Sequence, residues 1–168
     1  MNDKRPKSLS YKIPAGASKI VRAFHEQGFA SSGKPALSSK QVQHAYDQVA
    51  DRFKELMRTV STLDLHDTLV KVGFVEFKTR SSNRYDFTVP SLFDTDFLTT
   101  KAPWLDTVRA ILGKKAKLSH YGCMLSLPNS TTQPWHSDGP HLSKTKHLPP
   151  HILNVFVPLV NLTRKIGP

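Results

Sequence analysis

Apolar residues recur at three- and four-residue intervals most clearly along "SSKQVQHAYDQVADRFKELMRTVSTL", where Val42, Tyr46, Val49, Phe53, Leu56, Met57 and Val60 follow one another. That spacing puts them on one face of a helix over residues 39–60, a face expected to be buried against a sheet. Ser38 or Ser39 is placed to cap it by accepting a hydrogen bond from an unpaired N–H of the first turn. Over residues 72–90, "VGFVEFKTRSSNRYDFTVP", apolar and polar residues alternate on both sides of "RSSN", which predicts two strands joined by a turn. A second helix is predicted from Ala102-Pro103-Trp104 through Leu105, Val108, Ala110 and Leu112 to Gly113, with Lys114, Lys115 and Lys117 near the negative end of its dipole. Beyond Leu118 the period is that of strands: "KLSHYGCMLSL" is one and the β-prone "HILNVFVPLV" is another, with a long polar connection, residues 128–151, between them.

Helices first and strands later, without βαβ alternation, argue for an α+β fold. At 168 residues the chain suits one domain. Residues 1–18 mix Lys, Ser, Pro and Gly with few large hydrophobes and read as a mobile basic leader, which leaves 19–168 as the domain. The single cysteine, Cys123, excludes an internal disulfide framework and fits a reducing compartment. With no run of 18 apolar residues and no secretory signal pattern, the expectation is a cytoplasmic chain with no membrane span. A net charge of +11, with eight Lys/Arg against two acids in residues 1–40, suits anionic partners. No RNA-binding aromatic signature, zinc-finger spacing or basic zipper accompanies that charge, which argues against nucleic acid as the partner, and charge alone decides little.

The stretch "QPWHSDGPHL", residues 133–142, carries the candidate chemistry. In an extended backbone residues i and i+2 point to one side, about 6–7 Å apart. The His136 imidazole and the Asp138 carboxylate can therefore converge on one ion, as in the two-histidine, one-carboxylate ligand set of non-haem Fe(II) oxygenases. The bare pattern equally describes two polar residues in a surface turn. His141, His147 and His151 follow at intervals of five, six and four, a spacing that suits no standard zinc finger.

The flanking segments resemble the phytanoyl-CoA dioxygenase family of Fe(II)/2-oxoglutarate-dependent oxygenases. "HEQGFASSGKPALSSKQV" is similar to that family's N-terminal opening, "SLPNSTTQPWHSDGPHL" to its metal loop, and "LNVFVPLVNLTRKIGP" to the strand that follows; together they cover roughly residues 24–168. The resemblance implies N-terminal helices plus a partial double-stranded β-helix (jelly-roll) core. It also implies Fe(II) as the metal and 2-oxoglutarate as co-substrate, with hydroxylation of a C–H bond in a small organic or acyl substrate. His136 and Asp138 would be metal ligands. Gln133 and Trp135 would orient them or simply pack in the loop. Cys123, Met124 and Ser126, on the preceding strand, face either the co-substrate or the core, and Arg80, Arg84 and Tyr85 of the hairpin face either substrate or solvent.

The sequence departs from the family's pattern in two places. Ile166 stands where the family often has Asn, and the distal histidine and the arginine that pairs with 2-oxoglutarate would fall beyond Pro168. The expectation is therefore a site with two protein ligands and little or no turnover. Two other readings remain: a non-catalytic binding module of the same fold, and a basic nucleic-acid-binding protein whose affinity falls steeply with salt.

Overall fold

The computed structural model describes residues 11–89, 95–134, 136, 138–139, 142–146 and 148–163. In chain order its elements are α1 (Lys19–Gln27), α2 (Ser39–Thr62), α3 (His66–Lys71), β1 (Phe77–Ser81), β2 (Arg84–Thr88), a 3-10 turn (Asp96–Leu98), α4 (Leu105–Leu112) and β3 (Gly122–Ser126). The fold is a mixed α+β arrangement around a three-stranded antiparallel sheet of order β1-β2-β3. Over their described residues the chain forms two compact units: Met1–Ala36, Pro103–Lys117 and Trp135–Phe156 make one, and Leu37–Ala102, Leu118–Pro134 and Val157–Pro168 the other.

The second unit holds the sheet. α2 begins with a reciprocal cap in which the Gln41 N–H donates to Ser38 Oγ at 3.3 Å and the Ser38 N–H donates to Gln41 Oε1 at 2.9 Å. Two of the first turn's unpaired donors are thereby satisfied, which fixes where the helix starts. Its apolar stripe lies on the sheet, with Val49, Phe53, Leu56 and Met57 packing against a core of Val60, Leu69, Phe77 and Phe87. The Phe53 ring stands 6.1 Å from Phe77, 5.2 Å from Tyr85 and 6.0 Å from Phe87, the range in which aromatic pairs attract. Tyr46, on the same stripe, is exposed.

Register sets which side chains reach that core. Phe77 pairs with Phe87, Tyr85 with Leu125 and Phe87 with Cys123, all on the face toward α2. Lys78, Asp86, Met124, Arg84 and Ser126 alternate onto the opposite face. The hairpin turns at Asn83, whose φ of 57° is one that Asn tolerates better than most residues. Asn83 Nδ2 donates to the Pro128 carbonyl at 3.1 Å, tying the turn to the end of β3. Gly122 lies where β3 meets β2. A Cβ there would stand 2.8 Å from the Phe87 carbonyl oxygen, so the close strand approach requires glycine.

In the first unit α1 is capped by Ser18, whose Oγ accepts from the Val21 N–H, and ends at Gly28 with φ 82°. Val21 and His25, one turn apart, are its buried residues, and α1 packs on α4. Tyr11, placed in the leader by composition, shares a 2.8 Å hydrogen bond with His25 Nδ1; residues 1–10 lie outside the described residues.

Two expectations are corrected, and two helices are additional to those expected. The helix predicted from Ala102 begins at Leu105, Ala102 to Trp104 forming the preceding turn. α1 and α3 were not predicted: each is short, and six residues of α3 give too few periods for a stripe to register. The strand predicted over 151–160 is absent. Residues 151–158 carry no strand pairing, and Phe156 is 73% exposed. A Val/Ile/Phe-rich run measures how well a segment fits a half-buried pleated surface, and among the described residues no neighbouring strand offers one.

Phe87 is almost fully buried at the centre of the aromatic cluster, so Phe87→Ala is expected to cost about 3–5 kcal/mol in urea denaturation, and the partly buried Phe53→Ala less, about 2–3 kcal/mol. A loss below about 1 kcal/mol for Phe87→Ala would mean that the helix–sheet packing is not the core.

Candidate metal centre

His136 and Asp138 belong to the first unit, in the segment that follows Pro134. Their placement depends on residues 152–154. Gly139 comes so close to that stretch that a Cβ would sit 3.0 Å from Ile152 Cγ2. One residue earlier, Asn154 Nδ2 donates to Asp138 Oδ2 at 2.7 Å. The stretch read as a strand thus forms no ladder, yet its first residues lie against the motif and hold it.

The remaining carboxylate oxygen faces the imidazole, with His136 Nε2 3.2 Å from Asp138 Oδ1. Two donor atoms each about 2.0–2.2 Å from one ion, at an angle between octahedral and tetrahedral, stand about 2.8–3.6 Å apart. The observed separation falls within that window, so the pair fits two neighbouring ligand positions on one ion. The side chains are 50% and 46% exposed, which leaves the far side of the pair open to solvent. Among the described residues no third His, Cys, Asp or Glu completes a cluster. His151 is described and exposed; His141 and His147 lie outside the described residues. Among the described residues the pair offers one imidazole nitrogen and one carboxylate oxygen.

Gln133 is exposed and belongs to the second unit; Trp135 and Ile166 lie outside the described residues. Met124 and Ser126, also in the second unit, sit on the sheet face turned away from α2. Met124 is exposed, and Arg84 Nε donates to Ser126 Oγ at 3.2 Å. The Arg84 guanidinium also reaches the Thr131 carbonyl at 2.9 Å, while Arg80 pairs with Asp86. Tyr85 stacks on Phe77 in the core. Cys123 points into the core rather than onto the open face. Asn154 was missed: an exposed amide in "ILNVFV" carries no sequence signal that separates it from an ordinary surface residue.

An open cleft of about 310 Å³ lies at the start of α2, lined by Ser38, Lys40, Gln41, His44 and Phe97. The reciprocal cap already occupies N–H groups that would greet an anion there. Among the described residues no helix is long and apolar enough to cross a membrane. No family model matches the chain, and no solved structure matches it.

Burial, helped by the negative charge of Asp86, pushes the Cys123 thiol up from an ordinary 9.0 to about 11. At pH 8 its thiolate fraction should then be about 100-fold lower in the native protein than in the unfolded chain, and alkylation correspondingly slower. The folded state keeps a proton that the unfolded state releases, so this group costs nothing below pH 9 and lowers stability as pH climbs from about 9 toward 11. Equal labelling rates with and without urea would place Cys123 outside the core.

Proposed function

We propose that this chain carries the metal-loop portion of an Fe(II)/2-oxoglutarate-dependent dioxygenase of the phytanoyl-CoA dioxygenase type, acting on a small organic or acyl substrate. The observation that carries the reading is the 3.2 Å approach of His136 Nε2 to Asp138 Oδ1, a spacing suited to one shared ion, within the segment where the resemblance places the ligands. His136 would supply a neutral imidazole nitrogen. Asp138 would supply a hard anionic oxygen that offsets part of the metal's charge. Bound iron supplies the one-electron chemistry with dioxygen and 2-oxoglutarate by which a C–H bond is oxidised. The exposed side of the pair leaves room for a co-substrate beside the ion. The jelly-roll part of the proposal is supported by an antiparallel sheet with one face backed by α2 and the other free of that helix.

The described residues supply two donors, which bind more weakly than three, and Fe(II) stands low in the divalent affinity order. The purified chain is therefore expected to bind Fe(II) weakly and to release little succinate from 2-oxoglutarate with iron and ascorbate present. Anaerobic titration with Co(II), which binds more tightly, makes the site measurable. His136→Ala and Asp138→Ala should each lower Co(II) affinity by at least about tenfold. Turnover that His136→Ala abolishes would support the site and show that a further donor completes it. Co(II) affinity unchanged in both variants, or turnover that survives His136→Ala, would sink the proposal.

A further inference from the structure

We infer that Asn154 is a positioning residue that makes Asp138 a one-oxygen ligand; the inference rests on the metal-site reading above. A carboxylate only accepts hydrogen bonds, so the side-chain amide of Asn154 must present its NH₂ to Asp138, and this contact fixes which way the amide is turned. At 2.7 Å to Oδ2 the bond is in the short range expected when the acceptor is charged. Oδ1 lies toward His136 Nε2. The two carboxylate oxygens therefore have separate partners, and only Oδ1 is presented to an ion lying between imidazole and carboxylate.

Stability alone does not account for this arrangement. Asp138 and Asn154 are both exposed, where holding two polar side chains in one geometry costs rotamer freedom and gains little over hydration. Its consequence lies at the ion. A carboxylate free to turn can chelate through both oxygens, and the second oxygen then takes a coordination position that a co-substrate needs. With Oδ2 held by Asn154, that position stays open. Asn154 reaches the carboxylate because Gly139 lets the motif pass close to Ile152. Residues 152–154 thus act on the site through Asp138 rather than by touching the metal.

The test uses the full chain with Co(II) alone under anaerobic conditions, in the wild type, Asn154→Ala and His136→Ala. Expected for Asn154→Ala is weaker visible ligand-field absorption per bound ion, as the released oxygen raises the coordination number, with an affinity at least that of the wild type. Its melting temperature without metal should stay at the wild-type value, which separates positioning from a structural role. If His136→Ala lowers affinity while Asn154→Ala leaves the spectrum unchanged, the inference is overturned and the metal pair stands. If neither variant alters Co(II) binding, the metal-site reading fails and the inference falls with it.

Discussion

A sheet of three short strands is only marginally stable unless one of its faces is covered, and here the cover is a single helix. Phe77 and Phe87 are the largest fully buried side chains, paired across β1 and β2, and the Phe53 ring from α2 closes over both. That contact dictates the rest of the unit. With the Phe77–Phe87 face turned to α2, the two-residue period sends Cys123 and Leu125 inward and Met124 and Ser126 outward. The raised Cys123 thiol, the open polar face and the tethering of the hairpin turn to Pro128 follow from that one choice of face.

The same logic explains what could be read from the chain. α2 was legible because seven apolar positions, Val42 to Val60, repeat over about five turns and Ser38 with Gln41 marks its start. The β1–β2 hairpin was legible because alternation changes sides at a turn that Asn83 suits. Both signals are local. The failures are where local signal and tertiary context part. Residues 152–160 have the composition of a strand, yet pairing depends on a neighbour that no local pattern specifies. α1 has sound caps in Ser18 and Gly28, but buries little beyond Val21 and His25, so its stripe is too thin to stand out from a polar background.

The candidate site was legible only in part, for a related reason. A two-residue spacing says that His136 and Asp138 can share a side, and they do come within 3.2 Å. It says nothing about what turns the carboxylate. That job falls to Asn154, sixteen residues away, through a contact that exists because residues 138–139 lie against 152–154. Gln133, Met124 and Ser126, which the resemblance associates with the site, belong to the second unit. The large net charge of +11 adds nothing here, since the pair's chemistry is set by one imidazole and one carboxylate.

The central claim, that these two side chains share one ion, is tested most directly by a crystal structure of the cobalt-loaded chain with anomalous data at the metal edge. The account predicts a single peak about 2.0–2.2 Å from both His136 Nε2 and Asp138 Oδ1, with Asn154 still bonded to Oδ2. A peak at other residues, or an imidazole and carboxylate still paired directly at saturating metal, would contradict it.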